Sequence, residues 1–362
     1  MSDVKGIQMT EDKFGTRTGP AAGAEVGRSP GDIPKGREVM RAIVQDAYGS
    51  ADVLRLAEID RPEIAVNEVL VRVGAAGLDR GTSHLLWGRP YLMRIMGFGF
   101  RRPKNRVPGL DVAGTVVGVG SEVTRFAPGD EVFGVARGSF AEYAAVREDK
   151  LAHKPGSLTF EQAAVVPVSG STALQALRDA GRVKAGDRVL VIGASGGVGT
   201  YAVQLAKALG ARVTGVASTA KLDLILSIGA DQVIDYNLAD FADGTERYDV
   251  ILDIGGNSRL SRLRRALTPT GTLVIVGGEE GGNLTGGIDR QLRAIALSWF
   301  VSQRLTMVVG KEHNADLEVL SQFIEDGQVS PVIDRTYPLA QVPDAIGYLE
   351  AGHARGKISI TI

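Results

Sequence analysis

The chain has 362 residues, of which 44% are hydrophobic and 23% are charged, and its formal net charge is −1. This length predicts two domains, and the near-neutral balance gives no electrostatic reason to expect a nucleic acid or an anionic membrane as partner. The absence of cysteine excludes disulfides, thiol catalysis and every cysteine-ligated zinc site. No apolar run is long enough to cross a bilayer, and the charged first residues do not resemble a signal peptide, so a cytoplasmic location is expected.

The two ends of the chain have different patterns. Residues 1–39 are rich in Gly, Pro and charge and have no periodicity, which predicts a flexible N-terminal extension. From residue 40 to about 165, short strand signals alternate with glycine-containing turns, which is typical of a compact β domain. Residues 312–362 return to strand, helix and strand, and we expect them to rejoin that domain and make it discontinuous.

The central part of the chain alternates between strands and helices. Short apolar runs such as "DRVLVIGA", "YDVILDIGG" and "GTLVIVGG" are typical of strands buried on both faces of a parallel sheet. Helix-length segments such as "TYAVQLAKALG" separate them and end near Gly or Pro. This alternation predicts an α/β fold with a doubly wound, Rossmann-type domain over residues 166–311.

A glycine-rich turn stands where the first of these strands ends and a helix begins. Its residues are Ala194, Ser195, Gly196, Gly197, Val198 and Gly199. Small residues at its first, third and sixth positions allow a tight turn, a close approach to a pyrophosphate and close packing of helix on strand. The first-turn N–H groups then face the phosphates. The turn therefore predicts a dinucleotide site; the alternative is a tight strand–helix turn without a ligand.

The end of the next strand predicts which dinucleotide binds. A carboxylate that would select NAD is expected about 20 residues after the turn, but Ala217 stands there, followed by Ser218, Thr219 and Lys221. Two hydroxyls and an ammonium can hold a 2′-phosphate, so we predict NADP(H). The alternative is that Ser218 caps the next helix and Lys221 is solvated.

With these residues in view, the chain resembles the medium-chain dehydrogenase/reductase superfamily. It is most similar to the zinc-free quinone oxidoreductase branch, which includes zeta-crystallin-like and reticulon-interacting-protein-like members. The run "GDRVLVIGASGGVGTYAVQLAK" carries the resemblance, and "VPGLDVAGTVVGVG", "GADQVIDY" and "GHARGKISI" support it. The resemblance implies a GroES-like β domain, completed by the C-terminal residues, with a Rossmann domain between its two parts.

The resemblance also implies roles for further residues. Thr172 would contact the nicotinamide end of the cofactor, and Tyr236 would lie by the adenosine phosphate. The nicotinamide half would be bordered by Ile254, Gly255, Gly256, Val276 and Gly277. Lys357 belongs to a C-terminal "GK" that closes over the cofactor in relatives; the alternative is a solvated surface lysine. Each glycine could instead serve only a turn.

The superfamily also contains zinc alcohol dehydrogenases, so the sequence raises the question of a zinc site. A site built from Asp79, His84 and Asp111 is conceivable, since carboxylates do bind zinc. The favoured interpretation is that Asp79 stands in for the Asn that zinc-free relatives place beside the nicotinamide ribose. Asp111 is then a buried structural carboxylate, and no metal is predicted.

Without a metal to polarise a carbonyl, hydride transfer favours an acceptor that delocalises negative charge itself, such as a quinone or an α,β-unsaturated carbonyl. We therefore predict an NADPH-dependent quinone or enone reductase. His84 and Tyr91 are the candidate proton donors, although either could be only a packed or surface residue. The alternatives are an NADPH-binding protein without enzymatic activity and an alcohol dehydrogenase of the same superfamily.

Three further segments have expected roles. Residues 88–106 carry six Lys or Arg and no acid, which favours either a lid that selects an anionic or aromatic acceptor or a solvated loop. Trp299 and Phe300 either line the acceptor pocket or lie in the core. Residues 304–310 resemble the sheet-edge strand through which relatives dimerise, so a homodimer is expected.

Overall fold

The computed structural model describes residues 38–91, 94, 99–255, 258–277, 282 and 286–362. The strands are β1 (Val39–Gln45), β2 (Leu54–Asp60), β3 (Glu68–Leu78), β4 (Asp111–Val119), β5 (Glu131–Val135), β6 (Tyr143–Arg147), β7 (Leu151–His153), β8 (Arg188–Ile192), β9 (Arg212–Ala217), β10 (Gln232–Asp235), β11 (Tyr248–Asp253), β12 (Leu267–Ile275), β13 (Arg304–Met307), β14 (Ile333–Pro338) and β15 (Lys357–Thr361). The α-helices are α1 (Arg80–Trp87), α2 (Phe160–Ala164), α3 (Pro167–Gln175), α4 (Gly197–Ala208), α5 (Leu222–Ser227), α6 (Leu260–Ala266), α7 (Ile288–Ser298), α8 (Asn314–Glu325) and α9 (Val342–Glu350).

The central part of the chain forms a six-stranded parallel sheet. Its strand order is β10-β9-β8-β11-β12-β13. With β8 taken as the first strand, this is the order 3-2-1-4-5-6 of a doubly wound sheet. The strand order reverses between β8 and β11, which is the switch point of the sheet. Both strands at this switch point are almost continuously buried, as expected for strands covered by helices on both faces.

A second, mostly antiparallel sheet contains strands from both ends of the chain. Its order is β14-β15-β3-β4-β5-β7, with β6 also paired to β3. Strand β15 pairs antiparallel with β3, so residues near the C-terminus complete a sheet that begins at residue 68. A two-stranded ribbon of β1 and β2 adjoins this sheet through a bridge between Ala42 and Ala141.

One hydrophobic core reaches from one sheet to the other. It includes Phe133 of β5, Leu174 of α3 and Leu252 of β11, all at most 1% exposed. Helix α3 therefore packs between the two sheets, and residues 38–362 form one compact unit. The two sheets are fixed against each other beside the cleft that separates them.

The fold class predicted from the sequence is confirmed: a doubly wound parallel sheet accompanies a discontinuous β domain. The predicted domain boundaries at residues 165 and 312 stay a prediction. Residues 1–37 of the expected extension lie outside the described residues, and Val39 already begins β1. No helix within the described ranges is long and apolar enough to cross a membrane.

Candidate active site

A cleft cavity of about 440 Å³ lies between the two sheets and brings together most of the predicted site residues. The predicted residues that line it are Asp79, His84, Thr172, Ser195, Gly196, Gly197, Val198, Lys221, Ile254, Gly255, Val276, Gly277 and Lys357. They come from α1 and its N-cap, α3, the turns after β8, β9, β11 and β12, and the start of β15. Parts of the sequence that are far apart thus meet at the switch point of the parallel sheet, where this fold class binds ligands.

The glycine-rich turn forms one wall of this cavity. Helix α4 begins after Gly196, whose backbone is extended, and no side chain caps its first turn. Gly196, Gly197 and Val198 line the cavity at this point. The turn needs glycine at position 199, because a Cβ there would stand 2.1 Å from the carbonyl oxygen of Gly193. An uncapped helix N-terminus facing a cavity fits the diphosphate of a dinucleotide.

Residues near the C-terminus line the cavity beside the glycine-rich turn and are hydrogen-bonded to it. The Gly356 N–H donates to the Ser195 carbonyl at 2.9 Å, and Gly196 and Gly356 form a parallel β-bridge. Lys221 Nζ donates to the carbonyl oxygens of Gly352 and Ala354, both at 2.9 Å. The segment from 352 to 356 is therefore attached to the nucleotide-binding domain at two points.

Two of the three predicted 2′-phosphate residues, Thr219 and Lys221, already have protein partners. The Thr219 hydroxyl donates to Asp235 at the end of β10, and this hydrogen bond holds the pKa of that carboxyl below its usual range. Burial lowers the pKa of Lys221, whereas the nearby Asp334 acts in the opposite direction. Sequence reasoning missed Asp235; the signal for it was the carboxylate in "GADQVIDY", whose strand lies next to β9.

Asp79 and Arg80 enter the cavity from the start of α1. Asp79 caps this helix, since its Oδ1 accepts a hydrogen bond of 2.8 Å from the Thr82 N–H. The other carboxylate oxygen, Oδ2, is buried and accepts no hydrogen bond from the described residues. Arg80 also lines the cavity, and sequence reasoning missed it although it directly follows Asp79.

Lys357 is buried between two carboxylates at the floor of the cavity. Its side chain is 1% exposed, and its Nζ lies 3.1 Å from Asp111 Oδ2 and 4.0 Å from Asp79 Oδ2. Asp111 is fully buried, as expected, and its Oδ1 accepts a hydrogen bond of 2.8 Å from the Val168 N–H. Burial raises the pKa of Asp111 to about 7, with Lys357 opposing this shift and Asp79 adding to it. The alternative of a solvated lysine is wrong.

The candidate proton donors and nicotinamide contacts differ in their placement. His84 lines the cavity, whereas Tyr91 is 39% exposed and stacks with the Arg94 guanidinium at 4.8 Å. Thr172 lines the cavity, and its hydroxyl donates to the Val168 carbonyl at 2.7 Å. Tyr236 is 58% exposed and does not line the cavity.

The remaining predicted residues lie outside the cavity or outside the described residues. Ala194 is buried beneath the glycine-rich turn, and Ser218 is partly exposed at the end of β9. Gly256 lies outside the described residues. Trp299 and Phe300 are 85% and 84% exposed, so the expectation that they line the pocket or the core of this chain is wrong.

No group of three or more His, Asp or Glu side chains in the described part of the chain is arranged to hold a metal ion. The carboxylates of Asp79 and Asp111 instead flank the buried ammonium of Lys357. The zinc arrangement weighed from the sequence would need both carboxylates. In this structure Lys357 is their common partner.

Comparisons with known proteins agree with this architecture. Residues 65–156 match the alcohol dehydrogenase GroES-like domain, and residues 228–360 match the zinc-binding dehydrogenase family. The chain is 35% identical over 337 residues to a 2-methylene-furan-3-one reductase of Solanum lycopersicum, with 89% of this chain and 79% of the relative covered. It is 36% identical over 350 residues to the chloroplastic NADPH-dependent alkenal/one oxidoreductase of Arabidopsis thaliana, with 91% and 80% covered.

A solved structure extends the likeness to three dimensions. The quinone oxidoreductase from Coxiella burnetii superposes with a TM-score of 0.79 at 30% sequence identity, covering 90% of this chain and 100% of that one. The resemblance recognised in the sequence is thereby confirmed. The chain belongs to the medium-chain dehydrogenase/reductase superfamily, in its quinone oxidoreductase branch.

Proposed function

We propose that this protein is an NADPH-dependent reductase that delivers hydride to a quinone or an α,β-unsaturated carbonyl. The observation that carries the proposal is the single cavity that joins the uncapped N-terminus of α4 to Asp79 and Thr172. Relatives named as an alkenal/one oxidoreductase and a furanone reductase support the same reaction class.

The cofactor would lie along the switch point of the parallel sheet. In this proposal the turn at Gly196 and Gly197 holds the diphosphate, and Ser218, Thr219 and Lys221 receive the 2′-phosphate. Asp79, which lines the cavity at the start of α1, would accept a hydrogen bond from the nicotinamide ribose. NADPH supplies the hydride when bound, and Ile254, Gly255, Val276 and Gly277 border its nicotinamide half.

The acceptor would be reduced without a metal. A quinone or enone spreads the charge of the added hydride over its own conjugated oxygen, so the protein needs mainly to orient the acceptor and exclude water. His84 lines the cavity and is the candidate that could donate a proton to the reduced acceptor. A quinone could take its proton from water.

The test is NADPH consumption with a panel of quinones, enones and simple aldehydes, with and without a chelator. We expect turnover of quinones or enones that the chelator does not change, and little turnover of aldehydes. Aldehyde turnover abolished by the chelator would instead indicate a zinc alcohol dehydrogenase. NADPH binding without turnover of any acceptor would indicate the non-enzymatic alternative.

A further inference from the structure

A second cavity of about 430 Å³ lies in the β domain, and none of its lining residues belongs to the predicted cofactor or catalytic set. Its apolar walls include Leu85, Val107, Pro108 and Leu110. Its size is in the range of small-molecule sites, and its mixed lining of apolar and polar side chains is typical of them.

Helix α1 lies between this cavity and the candidate active site: Thr82 and Leu85 line the second cavity, whereas Gly81 and His84 line the first. A smaller cavity of about 140 Å³ lies beside both, because it shares Leu110 with the second cavity and Val168 and Thr172 with the first. A molecule that reacts at the nicotinamide end could therefore extend past Leu110 into the second cavity.

The mouth of the second cavity is cationic. Lys104 and Arg137 line it, and Lys104 also lines an adjoining open groove with Arg101 and Arg102. All four side chains are exposed, and within the described residues none makes an ion pair or a side-chain hydrogen bond. Their positive charge is thus not neutralised by the protein itself.

Two acids lie near these cations. Asp46, in the groove, pairs with Arg55 and Arg106 at 3.0 and 2.7 Å. Glu68 lines the second cavity and keeps its negative charge, because the hydrogen bond of 2.9 Å that its carboxylate accepts from the Ala65 N–H comes from a neutral group. The four cations outnumber this one carboxylate, so the balance of charge favours an anion.

Gln45 also lines the cavity, but its Oε1 is shielded from solvent and is therefore not an open acceptor for a ligand. The cavity thus combines an apolar wall and a cationic mouth.

We propose that the second cavity holds the non-reacting part of the acceptor, and that this part ends in an anionic group, a carboxylate or a phosphate. The inference rests on the proposed function and narrows its substrate class. The reacting enone or quinone lies at the nicotinamide end, the body of the acceptor packs beside Leu110, and the anion meets Lys104 and Arg137.

The test compares three enones of equal chain length, ending in a methyl group, a carboxylate or a phosphate. We expect kcat/KM of the wild type to be about five- to tenfold higher for the anionic acceptors, through KM rather than kcat, since each exposed ion pair contributes only modestly. The preference should shrink as salt is added. Of the carboxylate and the phosphate enone, the one with the higher kcat/KM identifies the preferred anion.

Two variants localise the effect. The double variant Lys104→Gln/Arg137→Gln should lower kcat/KM for the anionic enones to the value for the neutral enone. Lys184→Gln, which removes an exposed charge in the nucleotide-binding domain, should keep the preference. The inference would be overturned if the wild type had equal kcat/KM for neutral and anionic acceptors. It would also be overturned if Lys184→Gln lost the preference for anionic acceptors as much as the double variant does.

A binding measurement separates this inference from the proposed function. Saturated, unreactive analogues of the three acceptors are titrated calorimetrically into the wild type in the presence of NADP⁺. Tighter binding of the anionic analogues supports the cavity assignment even if no enone is reduced, in which case only the proposed reaction fails. Equal binding of all three overturns the cavity assignment whether or not enones are reduced.

Discussion

Lys357 shows how much one side chain can depend on residues far away in the sequence. It lies 246 residues from Asp111, yet the two share a buried ion pair with Asp79 beside it. The aliphatic part of Lys357 packs on the glycine-rich turn, because a Cβ at Gly197 would be 2.8 Å from Lys357 Cδ. The "GK" pattern suggested that this lysine is near the cofactor, but only the folded chain reveals its burial and its two carboxylates.

Removing this charge should destabilise the protein in a pH-dependent way. We expect Lys357→Met to lower the free energy of unfolding by about 3–5 kcal/mol, because it leaves a buried carboxylate without its countercharge. The pKa of Asp111 is about 7 in the folded wild type, above its ordinary 3.8, so stability falls as pH rises through this window. Because Lys357 lowers the pKa of Asp111, its removal should raise that pKa further. Urea unfolding should therefore show that Lys357→Met loses more free energy of unfolding at pH 8 than at pH 5.

A second substitution serves as the control for this prediction. Lys357→Met/Asp111→Asn removes both members of the ion pair. We expect this double variant to recover part of the lost free energy of unfolding and to remove most of the difference between pH 5 and pH 8. If Lys357→Met lost the same amount at both pH values, the buried carboxylate would not be the cause.

At the scale of elements, local and non-local features were predictable to different degrees. The strand–turn–helix unit of β8 and α4 follows from consecutive residues, so its glycine pattern was enough to predict it. The surroundings of Thr219 depend on β10 pairing beside β9, which places Asp235 next to that hydroxyl. Periodicity predicts that a strand exists, but it does not predict which carboxylate its neighbour brings.

The turn after β9 should set the preference between coenzymes. We expect Lys221→Ala to raise KM for NADPH about tenfold and KM for NADH much less, because a charge-assisted hydrogen bond to the 2′-phosphate is lost. Lys207→Ala is the matched control, since Lys207 is an α4 lysine that pairs with Asp231. An equal rise in KM for both coenzymes would mean that Lys221 acts only by holding the Gly352 and Ala354 carbonyls.

At the scale of the whole molecule, the two-part β domain was predictable because its C-terminal segment repeats a strand–helix–strand pattern. The cavities were not, since their walls combine residues from distant segments and from both sheets. Trp299 and Phe300 illustrate the difficulty: aromatic side chains favour a buried position, yet both are exposed at the turn before β13.

That exposure bears on the predicted homodimer. Strand β13 ends the order of the parallel sheet, and Trp299, Phe300 and Val309 expose apolar surface beside it. An edge strand next to exposed apolar side chains is a ready surface for a second copy. We expect a dimer by light scattering, and a monomer for Trp299→Ser/Phe300→Ser.

Leu238→Ser is the control for the dimer prediction, because Leu238 is 81% exposed on the β10 side of the sheet, at the opposite end from β13. It should remain dimeric. A monomeric wild type, or the same dissociation in both variants, would contradict an interface at β13.

The cytoplasmic location predicted from the sequence stays a prediction.

The hydrogen bond from the Gly356 N–H to the Ser195 carbonyl has a consequence for the order in which the protein is made. The glycine-rich turn is translated more than a hundred residues before Gly356. The wall that faces it, and strand β15 that completes the sheet of β3, are translated long afterwards. A nascent chain therefore carries its nucleotide-binding turn uncovered, and the cleft takes its final form only after the C-terminal strand has been translated.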